Sequence, residues 1–185
     1  MANLLIKDGA DATKYLKSTG AGSDVDPYIL ERYVSSVTQG ISVPVVLTVT
    51  NGAYTIGDVV GGLITFANAV RVSGGKSIVN SVKLSGVNAL AYNLFFFNAD
   101  LATPAADNAA FTTVVADNPK FLGHVPIVAG DYKAAASAFN YATVKNVGLQ
   151  VQASATTIYA YLVAIAVTSP GTTRLDLTVD FNYLD

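Results

Sequence analysis

Apolar residues recur at every second position through much of this chain, the periodicity of β-strands whose two sides meet different surroundings. Between Leu63 and Val72 the even positions are Ile64, Phe66, Asn68, Val70 and Val72, set against Thr65, Ala67, Ala69 and Arg71. A second run sets Ile78, Val82 and Leu84 against Ser77, Ser81, Lys83 and Ser85. A third, Ala89 to Phe97, alternates Leu90, Tyr92, Leu94 and Phe96 with Ala89, Ala91, Asn93, Phe95 and Phe97. Ser73-Gly74-Gly75-Lys76 and Ser85-Gly86-Val87-Asn88 separate the runs. Linkers that short predict hairpins, so Val59 to Phe97 reads as a β-meander. The third run is apolar on both faces near its end, which predicts a central strand or one whose second face meets a partner.

The same alternation continues on either side. From Ile41, Val43, Val45, Leu47 and Val49 oppose Pro44, Val46, Thr48 and Thr50, with Pro44 near the strand start, where a lost donor costs least. Asn51-Gly52 is a turn signal. Asn98 to Pro119, rich in Ala, Asp, Asn and Thr, predicts a long contact-bearing surface loop with a weak strand or short helix at Phe111 to Val115. Phe121 to Val128 is a strand placed at a sheet edge by Pro126. Tyr132 to Tyr141 reads as one helical turn or a loop, and Val144 to Gln152 as a strand. Thr157 to Thr168 predicts a buried strand; its apolar stretch, Ile158 to Val167, is too short to cross a membrane as a helix. The last run places Leu175, Leu177, Val179, Phe181 and Tyr183 inward and Arg174, Asp176, Thr178, Asp180 and Asn182 outward. About eight strands with turns between them and no long amphipathic helix predict an all-β fold, an antiparallel β-sandwich with a jelly roll as the leading topology.

Residues 1–40 differ. Asp8-Gly9-Ala10-Asp11, Ser18-Thr19-Gly20-Ala21-Gly22-Ser23 and Asp26-Pro27 break them into pieces too short to build a core. They read as an extended N-terminal arm ahead of a sandwich domain spanning 41–185. The apolar residues between the breaks, Leu4, Leu5, Ile6, Tyr15, Leu16, Tyr28, Ile29 and Tyr33, are the candidate partner-binding positions, suited to docking on a neighbouring subunit.

Composition adds a tendency to associate. Hydrophobic residues make up 51% of the 185 positions and charged ones only 13%, with a net charge of −2, so little repulsion opposes self-association. Eleven basic residues without clustering give no footprint for nucleic acid. The absence of cysteine excludes disulfides and thiolate metal sites. The start, Met1 followed by Ala-Asn-Leu-Leu-Ile and early charges, lacks a secretory pattern, and synthesis in a cytoplasm is expected.

No residue set reads as catalytic. The one histidine, His124, lies in an apolar strand without a nucleophile motif and is assigned a structural role. Asp8 with Asp11, and Asp24 with Asp26, lack the spacing of a calcium loop and suit turns. Asp176 and Asp180 share one strand face about 13 Å apart, too far for a retaining carboxylate pair. Gly57, Gly61, Gly62, Gly74 and Gly75 sit between strands and read as turn and bulge residues, with no helix after them to cradle phosphate. No metal, cofactor or enzymatic activity is expected. Ten tyrosines without tryptophan offer stacking platforms for sugars, although Tyr92, Tyr159, Tyr161 and Tyr183 fall in strand patterns and suit core or interface better.

The segments KDGADATKYLKSTGAGSDVDPYI (Lys7 to Ile29), YTIGDVVGGLITFANAVRVSGGKSIVNSVKL (Tyr54 to Leu84) and LFFFNAD resemble virion structural proteins of tailed bacteriophages, of the capsid decoration or cement type. These motifs are structural and carry no catalytic signature. The resemblance implies a β-sandwich with an arm, assembled as a homotrimer on the capsid exterior, with the major capsid protein as partner. A receptor- or glycan-binding module of a tail fibre or spike is the alternative.

Overall fold

The computed structural model describes residues 5–7, 13–15, 39–134 and 139–184. The chain divides into two compact units, Met1–Val37 and Thr38–Asp185. In the first, β1 (Leu5–Lys7) and β2 (Thr13–Tyr15) form an antiparallel pair with Leu5 opposite Tyr15 and Ile6 opposite Lys14.

Among the described residues the second unit holds nine strands: β3 (Gly40–Thr48), β4 (Val59–Phe66), β5 (Lys76–Gly86), β6 (Tyr92–Phe97), β7 (Phe121–Ile127), β8 (Tyr132–Ala134), β9 (Asn140–Gln152), β10 (Ile158–Ala164) and β11 (Arg174–Tyr183). They form two antiparallel sheets, ordered β4-β10-β6-β7 and β3-β11-β5-β9-β8. The sheets pack face to face as an all-β sandwich. Apart from β6 to β7 and β8 to β9, successive strands lie in opposite sheets.

The core is the set of inward positions that the alternation marks. Leu175, Leu177, Val179 and Phe181 of β11 are 2% exposed or less, and they meet Ile64, Phe66, Leu94, Phe96, Ala160 and Leu162 from the facing sheet. Phe66 stands at the centre, its ring 5.6 Å from Phe181 and 6.1 Å from Phe96. Burying a side chain of this size contributes about 1.5–3 kcal/mol, so the alternation that collects them also supplies much of the fold's stability.

Several sequence expectations change. The stretch Val59 to Phe97 is not a meander: β5 lies in one sheet while β4 and β6 lie in the other, and no two of the three pair. Residues 67–75 and 87–91 carry the chain across the sandwich, and connections of that length cover the ~10 Å between packed sheets as readily as they turn a hairpin. The Leu63 to Val72 pattern is shifted, because β4 begins at Val59 and ends at Phe66, where Asn68 takes a left-handed turn at φ 57°. Tyr132 to Tyr141 supplies β8 and the start of β9, preceded by a short 3-10 turn at Ala129–Asp131. Phe111 to Val114 takes no regular structure, and a 3-10 turn begins only at Val115 and runs to Lys120. Pro126 lies on the edge strand β7 as expected, whereas Pro44 stands at the middle of β3 and not near its start, tolerated because β3 is itself an edge strand.

Candidate functional site

The outer face of the four-stranded sheet carries the chemistry that sets this molecule apart. Leu94 and Phe96 of β6 point into the main core, so alternation turns Phe95 and Phe97 outward; Tyr159, Tyr161 and Val163 of β10 join them there. An outward face would normally be polar. Here a second apolar cluster forms from Val59, Phe97, Leu101, Tyr161 and Val163, with Phe95, Ala105, Phe111 and Tyr159 against it. This resolves the two-faced pattern of Ala89 to Phe97: β6 is an interior strand of its sheet, and its second face meets the chain's own loop 98–120.

Three aspartates fix that loop. Asp107 accepts four hydrogen bonds, from the Tyr54 hydroxyl (2.7 Å) and Gly61 N–H (2.6 Å) on Oδ1, and from the Thr50 N–H (2.8 Å) and hydroxyl (2.6 Å) on Oδ2. Asp117 accepts from the Ala102 and Val114 amides and from Lys120 Nζ at 3.0 Å. Asp100 accepts from the Tyr161 hydroxyl at 2.8 Å, and Lys120 also donates to the Asp100 carbonyl. Backbone bonds add a seam along β4: Asn108 N–H to Val59 O, Val59 N–H to Ala109 O and Phe111 N–H to Gly57 O, each 2.8 Å. Asn98 N–H to Lys120 O closes the loop's base.

Gly61 and Gly62 make this docking possible. At φ 81° and 73° they form a bulge in β4, where the pairing to β10 steps from Tyr161–Leu63 to Leu162–Val60 and the Gly61 N–H is freed for Asp107.

The hydrogen bonds set the electrostatics. Burial pushes the Asp107 carboxyl up, but the bonds from Thr50, Gly61 and Tyr54 outweigh it and hold the group below its ordinary range. The Val114 and Ala102 amides, with Lys120, do the same for Asp117. Burial, reinforced by the facing carboxylates Asp107 and Asp100, raises the Tyr54 and Tyr161 phenols, which stay neutral donors.

Between the loop and the sheet edge lies a recess of about 320 Å³ lined by Phe95, Phe97, Phe111, Thr113, Asp117, Asn118 and Phe121. Its rings pack on one another: Phe95 and Phe111 at 5.0 Å between centroids, Phe97 and Phe121 at 5.7 Å, Phe111 and Tyr161 at 5.7 Å. Phe121 is 46% exposed, and Val115 beyond it 85%. The lone carboxylate in the lining, Asp117, is spent on Ala102, Val114 and Lys120. What the recess offers a partner is therefore apolar surface.

The positions singled out in the sequence fall elsewhere. Of the candidate arm residues, Leu5 and Ile6 are on β1 and Tyr15 on β2, while Leu4, Leu16, Tyr28, Ile29 and Tyr33 lie outside the described residues, as do Asp8, Asp11, Asp24 and Asp26. His124 sits exposed on β7 with its ring stacked on Phe95 at 5.4 Å. Asp176 pairs with Arg174 at 2.7 Å, whereas Asp180 accepts from Ser42 and Ser81 and pairs with Lys83 at 2.8 Å, so the two carboxylates serve separate local contacts on the outer face of the five-stranded sheet. Tyr54, Tyr92, Tyr132 and Tyr161 are buried, which removes them as stacking platforms; Tyr141, Phe121 and Phe139 are the exposed aromatic side chains among the described residues. Among the described residues no cluster of three or more His, Asp or Glu side chains is placed to hold a metal ion. The recess was hidden in the sequence because Phe95, Phe97, Phe111 and Phe121 come from two strands and a loop, and the two-faced pattern of β6 was its signal.

No protein-family model and no curated protein matches the chain. Among solved structures, the infectious bursal disease virus VP2 subviral particle is similar over 90% of this chain and 41% of that one, at 14% identity and a TM-score of 0.17. The chain thus spans about two-fifths of that protein's length, and a likeness so slight bears on neither fold nor role.

Proposed function

We propose that this protein is a non-enzymatic structural component of a tailed-phage virion, a decoration protein that binds the capsid exterior and bridges major capsid subunits. The observation that carries the reading is the aromatic recess: half-buried Phe95 and Phe111 and exposed Phe121 over buried Phe97, beside exposed Val115, with the neighbouring carboxylate committed to internal bonds. A surface of this kind gains free energy by being covered, at about 25 cal/mol for each Å² of apolar area removed from water. It presents no poised nucleophile or base. Two further points support the reading. The sequence segments at Lys7 to Ile29 and Tyr54 to Leu84 resemble phage decoration proteins. The strand orders β3-β11-β5-β9 and β4-β10-β6-β7 support reading the sandwich as a jelly roll, an architecture used in viral shells.

The test is occupancy on purified heads. Phe121→Ser and Val115→Ser alter exposed side chains and are expected to leave the thermal transition nearly unchanged while weakening attachment at least tenfold. Imaging of virions carrying the protein should find many copies over the head. A few copies at the tail tip, or full occupancy by the double variant, would overturn the proposal, and the first result would favour the receptor- or glycan-binding alternative.

A further inference from the structure

Loop 98–120 differs from the rest of the sandwich in what holds it. The main core lies between the sheets, whereas the loop's apolar contacts, through Leu101, Ala105 and Phe111, belong to the separate cluster on the outer side of β10 and β6. Strand pairing in the four-stranded sheet runs β4-β10-β6-β7 without using a loop residue. The remaining restraints that tie the loop to the sheet are polar: the Asp107 clamp, the Asp100 bond to Tyr161 and three backbone bonds to Gly57 and Val59, whereas Asp117 ties the loop to itself through Ala102, Val114 and Lys120. Both loop ends are fixed on adjacent strands, β6 and β7, so the loop can lift without pulling either sheet apart.

We propose that loop 98–120 is a carboxylate-latched flap that opens as one unit while both sheets stay folded, baring the aromatic outer face of β6 and β10.

The latch requires ionised carboxylates. All four partners of Asp107 donate to it, so placing a proton or an amide N–H₂ on either oxygen sets donor against donor. Asp117 faces two backbone donors and the Lys120 ammonium, all inside the loop, and so keeps the flap in one piece as it moves. Other titratable groups around the flap leave the Asp107 latch intact. Tyr54 and Tyr161 are donors to Asp107 and Asp100, Asp58 is turned to its own Thr55, and His124 of β7 stacks on Phe95. The hydrogen bonds that hold the Asp107 carboxyl below its ordinary range keep the flap shut at neutral pH. Opening is therefore expected on acidification or on neutral substitution of Asp107. The proposal is independent of the virion reading.

The experiment is amide hydrogen exchange on the full chain carrying Asp107→Asn, at pH 7, where the wild-type latch is ionised. The Asn108 and Phe111 amides, which donate across the seam, should exchange at least tenfold faster than in the wild type. Leu84, Leu162 and Val179, in interior strands, should change less than threefold, and binding of a dye that reports apolar surface should rise. Uniform acceleration in loop and strands, or none at Asn108 and Phe111, would overturn the proposal. Should the variant not fold, the wild-type chain in sub-denaturing guanidinium gives the same decision. Loop amides must then exchange through an opening with a smaller denaturant dependence than strand amides, and a common slope overturns the flap.

Discussion

Replacing Gly61 by alanine tests whether the β4 bulge sets the stability of the sandwich. Two costs are added. At φ 81° an L-residue pays the left-handed penalty of about 1–2 kcal/mol. The new Cβ would also stand 2.8 Å from Cβ of Leu47, across the sandwich on β3. No rotamer of Leu47 moves its own Cβ, so backbone must shift, at about 1–3 kcal/mol for overpacking. The sum, about 2–5 kcal/mol, corresponds to a fall of about 10 °C in Tm for a domain near 150 residues. Gly57→Ala is the control, since its φ is 90° but nothing lies within 4 Å of the added Cβ. It carries the conformational cost alone, and the entropy that alanine removes from the unfolded chain is the same at both sites and cancels in the comparison. Differential scanning calorimetry of the two variants isolates the packing contribution. Equal Tm shifts would show that β3 and β4 approach less closely than 2.8 Å implies and would refute the reasoning.

Removing residues 1–37 should leave the thermal transition of the remaining unit within about 2 °C, because the main core draws on residues beyond that point; attachment to capsids should weaken, and full occupancy after truncation would place attachment in the sandwich alone. Light scattering of the free protein at micromolar concentration should report a homo-oligomer, a trimer by the resemblance, and a monomer would count against the charge-poor surface as a driver of association. Asp180 gives the acid dependence its sign. Burial raises its carboxyl, but Lys83, Ser42 and Ser81 outweigh that and leave it below the ordinary value, so its contribution is present above the unfolded pKa of about 3.9 and is lost as pH falls through the lower folded value. Tm should be flat from about pH 5 to 8 and fall below about pH 4, and Asp180→Asn should flatten that fall; an unchanged acid limb would assign it to other carboxylates.

Strands were legible in the sequence because a period of two is a local property. Leu175 to Phe181 states which side of β11 is buried without reference to any other strand. Neighbours were not legible, since alternation is silent about partners: Ile64 and Val82 look alike in sequence yet belong to opposite sheets. The candidate site was half visible. Phe95 and Phe97 announced a second buried face, but what covers it depends on Asp100, Asp107 and Asp117, and an aspartate in an Ala- and Asn-rich loop looks the same whether it faces water or receives four hydrogen bonds. Glycine was more informative, because Gly61 and Gly62 read as turn and bulge residues between strands, and the bulge at which the loop docks falls on them, inside β4.

The sheet margins limit how this molecule can join others. β3 and β7 are each interrupted by a proline, β8 is only three residues long, and the backbone of Asn108 and Phe111 occupies the margin of β4. Adding a strand from a neighbour needs a continuous row of open donors and acceptors, and these four outer strands interrupt that row. Strand addition at the ends of the two sheets, one route to fibres, is thereby disfavoured, and any contact between copies there has to run through side chains.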